Sequence, residues 1–182
     1  DGRILASAAF DKTIRIWEVQ SGQMQVLLDE TRDGHQDEVW SVKFSPDGKT
    51  LASCGKDGIL KLWDVSAWRA KTLARETMAL LDIAFSQDGR VLASGGYDHI
   101  VRLWDLTTGK PPTLLRGHAI VTRTLAFAPD GHSLVSGGDW LRVWDTDRNQ
   151  QFTRLPAHAR DAYAASFSPD GKIVATCGLD GA

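Results

Sequence analysis

Apolar residues in this chain fall in short runs, such as Val39-Trp40-Ser41-Val42-Lys43-Phe44 and Thr50-Leu51-Ala52-Ser53-Cys54, rich in β-branched, aromatic and small side chains. No stretch keeps a helical period over three turns, so the pattern predicts strands throughout. Between paired runs stand Ser45-Pro46-Asp47-Gly48, Ser86-Gln87-Asp88-Gly89, Ala128-Pro129-Asp130-Gly131 and Ser168-Pro169-Asp170-Gly171. Proline presets φ for a type I turn, aspartate can bond the backbone just ahead, and glycine takes the positive-φ position that closes a hairpin. Each is a strand-turn-strand unit.

The units recur. Trp17, Trp63, Trp104 and Trp144 follow one another at intervals of 46, 41 and 40 residues, and Phe44, Phe85, Phe127 and Phe167 at 41, 42 and 40. Each tryptophan ends a run of one type: Ile14-Arg15-Ile16, Leu60-Lys61-Leu62, Val101-Arg102-Leu103, Leu141-Arg142-Val143. A repeat therefore offers strand a before the Asp-Gly turn, b after it, c with the tryptophan, and a looser outer strand d such as Thr113-Leu114-Leu115. Four strands in one such period match a single propeller blade.

The chain resembles the WD40 repeat family along essentially its whole length. Trp63-Asp64, Trp104-Asp105 and Trp144-Asp145 are the namesake dipeptide, with Trp17-Glu18 a near variant. Gly34-His35 and Gly117-His118 match the Gly-His that opens a repeat, and Ala157-His158 matches it more weakly. The resemblance implies an all-β propeller with four antiparallel strands per blade, present as an arc of about four and a half repeats: 1–34 lacking strand a, 35–75, 76–117, 118–157, and 158–182 with strands a and b only. Asp1-Gly2 aligns with an a–b turn, and Asp180-Gly181-Ala182 precedes any tryptophan strand. The expectation is an arc cut from a larger ring, completed by further blades or self-associating through open edges. The Ser-Pro-Asp-Gly and Thr-Gly-Lys turns look like those of bacterial WD40 arrays, which often lie beside kinase or signalling-NTPase modules.

Composition narrows the function. The 182 residues suit one domain or a piece of one, at about 150 residues per domain. With 23 acidic and 21 basic residues the net charge is −2, without the basic footprint of a nucleic-acid binder. Cys54 and Cys177 are too few and too far apart for a disulfide framework or a zinc site; they sit at equivalent strand-b positions, where core packing accounts for both. No apolar run reaches the roughly 18 residues of a membrane helix. The reading is a cytoplasmic, reducing compartment. Single carboxylates in the Asp-Gly turns make no calcium loop, and no helix supplies a phosphate-binding terminus, so neither metal nor cofactor is expected.

Serine, histidine and aspartate occur in each unit, the residue types of a hydrolytic triad. His35, Ser53, Asp57 and Trp63 form one set, and His118, Ser136, Asp139 and Trp144 another in the same order. A group present once per repeat serves the repeat. The resemblance implies the arrangement: indole N–H to hydroxyl, hydroxyl to imidazole, imidazole to the aspartate of the b–c turn. Nine residues before Phe85 stands Glu76 where the others have histidine, so that blade keeps only Ser94, Asp98 and Trp104. Asp139 lies five residues before its tryptophan where the other aspartates lie six. The blades 76–117 and 118–157 are expected to be the less regular. The basic residue two before each tryptophan (Arg15, Lys61, Arg102, Arg142) is expected to lay its stem on apolar surface with the charge at the edge.

Propellers of this kind resemble interaction platforms that dock partners on the face of the d–a and b–c loops. Phe10, Lys56 and Tyr97 precede the b–c aspartates, Trp140 follows one, and Trp40, Leu81, Arg123 and Tyr163 stand four residues before the strand-a phenylalanines. Aromatic and arginine side chains are the types enriched at hot spots, so these eight are the candidate binding residues for a protein or peptide, unless they plug the channel. Trp68 lies on the opposite face by this register and could cap the outer strand. Two alternatives stand beside the non-catalytic scaffold or sensor reading: an enzyme at the channel mouth, with Asp82 and Arg123 as its candidates, and nucleic-acid binding.

Overall fold

The computed structural model describes residues 2–156, 158 and 161–180. Asp1 of the expected opening turn, Ala157 of the third opening dipeptide and the closing Gly181-Ala182 lie outside the described residues.

The fold class is all-β. The strands are β1 (Ile4–Ala8), β2 (Ile14–Glu18), β3 (Met24–Leu28), β4 (Val39–Phe44), β5 (Thr50–Gly55), β6 (Ile59–Asp64), β7 (Arg69–Arg75), β8 (Leu80–Phe85) and β9 (Val91–Gly96). They continue with β10 (Ile100–Asp105), β11 (Thr113–Arg116), β12 (Thr124–Phe127), β13 (Ser133–Gly137), β14 (Leu141–Asp145), β15 (Gln150–Leu155), β16 (Ala162–Phe167) and β17 (Val174–Gly178). Each phenylalanine of the period ends an a strand, and each tryptophan is the last residue but one of a c strand. The strands form five sheets in chain order: β1-β2-β3, β4-β5-β6-β7, β8-β9-β10-β11, β12-β13-β14-β15 and β16-β17.

One short element departs from the strand-only expectation. Glu30–Arg32 forms a single 3-10 turn, because Asp29 accepts the amide and hydroxyl of Thr31 at 3.0 and 2.6 Å and so caps the turn. A local hydrogen-bonding motif of this kind leaves no apolar period to read.

The chain divides into two compact units, Asp1–Leu80 and Leu81–Ala182, each with its own apolar cluster. In the first, Trp63 is fully buried among Ile14, Ile16, Leu28, Val39 and Leu51. In the second, Trp144 packs with Val101, Leu103, Leu115, Leu125 and Leu134. Each cluster joins two consecutive sheets through the tryptophan of the later one, so a sheet buries its apolar face only against a neighbour. Trp68 is half-buried against the first cluster with φ of 52°, held by its amide bond to the Asp64 carbonyl.

The hairpin chemistry follows the residues. In Ser45-Pro46-Asp47-Gly48 the Ser45 hydroxyl donates to Asp47 at 2.6 Å and accepts the Thr50 amide at 3.0 Å, with Gly48 at φ of 69°. Ser86-Asp88 and Ser168-Asp170 repeat this. Where Ala128 replaces the serine, Asp130 instead accepts the amides of His132 and Ser133.

Irregularity follows the sequence only in part, for the 118–157 repeat shifts register between Val143 and Trp144, while the 76–117 repeat shows no shift in its β9–β10 and β10–β11 pairs although it lacks the histidine. Shifts occur between β2 and β3, β4 and β5, β6 and β7, β14 and β15, and β16 and β17. Cys54 is buried on β5, with its thiol 3.7 Å from the Leu80 carbonyl, whereas Cys177 is exposed. Among the described residues the shared-core reading therefore holds for Cys54 and not for Cys177.

Candidate functional site

The polar network starts from strands b and c. Trp63 Nε1 donates to Ser53 Oγ at 2.8 Å, Ser53 Oγ lies 2.8 Å from His35 Nε2, and His35 Nδ1 stands 2.9 Å from Asp57 Oδ2. In the fourth sheet the corresponding distances are 2.7 Å (Trp144–Ser136), 2.6 Å (Ser136–His118) and 2.9 Å (His118–Asp139). A carboxylate only accepts and the hydroxyl already receives the indole proton, so a neutral ring carries its proton on Nδ1. Burial pushes the His118 imidazole below its ordinary pKa, against the pull of Asp139. Burial alone would raise Asp57 and Asp139, but hydrogen bonds, led by those from His35 and His118, hold both carboxyls below the usual range. Ser53, Ser94 and Ser136 are 0% exposed, so no substrate reaches these hydroxyls.

The β8-β9-β10-β11 sheet does without the histidine, since Glu76 stands at that position. Trp17 bonds Ser7 and Trp104 bonds Ser94, each at 2.9 Å. In that sheet the strand-c arginine holds the turn aspartate, Arg102 pairing with Asp98 at 2.6 Å; in the first sheet Arg15 likewise pairs with Asp11. Where histidine holds the aspartate, the basic residue reaches a d–a loop carbonyl, Lys61 at Asp33 and Arg142 at Gly117, both at 2.5 Å, while Arg142 also stays 3.4 Å from Asp139. The expectation that these charges sit at a solvent edge is corrected for Lys61, Arg102 and Arg142, which are buried, while Arg15 stays partly exposed. The last described histidine, His158, bonds Thr176 at 3.0 Å and Asp180 at 2.9 Å.

The candidate binding residues lie on the loops and on strand a. In the first unit Phe10 is 75% exposed. Half-buried Trp40 donates through Nε1 to Glu38 at 2.9 Å, and exposed Lys56 pairs with the same Glu38 at 3.2 Å and with Asp37 at 3.6 Å. In the second unit Arg123 pairs with Asp161 at 2.7 Å and lies over the Tyr163 ring at 4.7 Å, so two sequence-distant candidates meet. Trp140 stacks under Arg154 at 5.1 Å, Tyr97 is exposed, and Leu81 is half-buried on β8. Asp82, a candidate for catalysis, accepts the Leu125 amide at 2.8 Å and so ties β8 to β12. Thr124 Oγ1 accepts the Ala165 amide at 3.1 Å and ties β12 to β16 in the same way. Sequence reasoning missed these ties. Their signal is a polar residue three before the strand-a phenylalanine, as at Asp82 and Thr124.

Among the described residues, no group of three or more His, Cys, Asp or Glu side chains is placed to hold a metal ion. No helix among them is long and apolar enough to cross a membrane.

Antiparallel sheets of this kind, four of them locked from strand c to strand b by a tryptophan-to-hydroxyl bond, define a β-repeat protein of the propeller-blade type. The family model described as "WD domain, G-beta repeat" matches residues 1–18, 28–64, 70–105, 109–145 and 149–182, and the chain belongs to the WD40 family. Among curated proteins the chain is similar to coronin-7 of Rattus norvegicus, 48% identical over 44 residues, covering 24% of this chain and 4% of that protein. The same length is 48% identical in the F-box-like/WD repeat-containing protein TBL1Y of Homo sapiens, covering 8% of it. The match thus spans a small fraction of these relatives and amounts to about one repeat.

Proposed function

We propose that the chain is a non-catalytic docking platform that binds a protein or peptide through its d–a and b–c loops. The observation that carries this reading is the Arg123–Tyr163–Asp161 group. An arginine already fixed by a carboxylate and a ring loses little rotamer freedom on binding, and arginine and tyrosine dominate hot spots. Trp40, fixed through Glu38, offers a second anchor of the same kind in the first unit. The triad-like residues support the same reading, because their serines are spent on indole N–H groups inside the sheets. WD40 membership and the likeness to coronin-7 and TBL1Y agree with a scaffold or sensor role in signalling. A cytoplasmic setting, further blades of the same ring and the bacterial likeness of the turns belong to this proposal.

Peptides selected from a displayed library on the intact chain test it. Arg123→Ala/Tyr163→Ala is expected to weaken the selected peptides by about 2 kcal/mol or more, roughly thirtyfold, with the circular dichroism spectrum kept. Binding retained in full by that variant and by Trp40→Ala removes both anchors from the site.

A further inference from the structure

The first unit contains a cavity of about 420 Å³ that the network does not use, lined by Lys12, Glu30, Asp33, Lys61 and Arg75 among others. Lys61 is 4% exposed, a charged side chain rarely so buried without a counter-ion. Its one hydrogen bond is to the Asp33 carbonyl, which a left-handed φ of 55° at Asp33 accompanies, so two of its three donors are left for another acceptor. Burial lowers its pKa first and the charge of Arg75 second, against the opposing charges of Asp57 and Asp33. Lys12 and Arg75 are exposed, and Lys12 also takes a left-handed φ, of 72°. Among the described residues none of the three cations is in an ion pair.

We infer that this cavity binds a phosphate group, seated between the Lys61 ammonium, the Arg75 guanidinium and Lys12. A dianion accepts the spare Lys61 donors, meets the planar fork of Arg75, and relieves the repulsion between the two cations. A carboxylate brings half that charge. Glu30 and Asp33 line the same cavity and oppose the anion, which limits its affinity. The cavity is several times larger than a bare ion, leaving room for whatever carries the phosphate. The site does not depend on the docking reading, because a free small-molecule probe suffices to test it.

The experiment is calorimetric titration of the intact chain at fixed ionic strength with inorganic phosphate, O-phosphoserine and acetate. Saturable phosphate binding is expected, weakened about tenfold or more by Arg75→Gln and by Lys61→Met, since each removes a charged partner. Glu30→Gln is expected to tighten it, a gain that a misfolded variant cannot produce. Equal binding of the two phosphates supports a site for the free ion, and tighter O-phosphoserine binding supports one for a phosphorylated side chain. No saturable phosphate binding, acetate binding as tight as phosphate, or indifference to both Arg75→Gln and Glu30→Gln overturns the inference.

Discussion

His35 shows how one side chain carries several obligations. It meets Ser53 through Nε2 and Asp57 through Nδ1, and its removal leaves a buried hydroxyl and a carboxylate only 6% exposed without their partner. Ser53 keeps the Trp63 indole and Asp57 keeps the Gln36 and Ile59 amides, so each loses one partner, at about 1–3 kcal/mol for a buried polar group left short of one. His35→Ala is therefore expected to lower the melting temperature by several degrees, at about 2–4 °C per kcal/mol for a chain of this size, in a calorimetric scan. An unchanged transition contradicts the network's structural role. The histidine also decides what the basic residue two before the tryptophan does. Arg102, whose repeat has Glu76 in place of histidine, pairs with its turn aspartate at 2.6 Å, while Lys61 and Arg142 bond the loop carbonyls of Asp33 and Gly117 and Arg142 keeps only a longer 3.4 Å pair with Asp139. The basic residue thus shifts its main bond from carboxylate to carbonyl where histidine also holds the aspartate.

Turns and strands obey a similar division between local and distant causes. Gly48 and Gly58 both adopt φ near 70°, yet a Cβ at Gly48 meets nothing within 4 Å, whereas one at Gly58 stands 2.4 Å from the Glu76 carbonyl oxygen. Gly48→Ala is expected to cost about 1 kcal/mol, the conformational term alone. Gly58→Ala adds a backbone clash and should cost clearly more, as urea titration of the two variants will show. The hairpin around Gly48 was legible in Ser45-Pro46-Asp47-Gly48, because its hydrogen bonds join residues five or fewer apart. The crowding at Gly58 was not, because Glu76 lies a whole strand pair away.

Summed over the chain, the titrating groups set how stability answers to pH. His118 has a folded pKa below its ordinary 6.5, so the unfolded chain binds that proton more readily, and stability present above about pH 6.5 is lost as pH falls through that value toward the folded one. Asp57 and Asp139 lie below their ordinary 3.8, and a second loss begins below that pH. Melting curves from pH 8 to 3 are expected to show both declines, with His118→Gln flattening the first. A melting temperature that rises between pH 7 and 5.5 would reverse the sign assigned to His118.

The period of tryptophans and phenylalanines, the four-strand unit and its hairpins followed from residue order, because β-alternation and turn chemistry are decided by neighbours in sequence. So did the members of the Trp63–Ser53–His35–Asp57 set, through the WD40 likeness. Folding alone settled what depends on groups far apart in the chain: the seating of Trp63 on Ile14 and Ile16, the exposure of Cys177, the meeting of Arg123 with Tyr163, and the cavity around Lys61. Those contacts join one sheet to the next or a loop to a strand, and the sequence pattern of a single strand carries no record of which side chain arrives from across the gap.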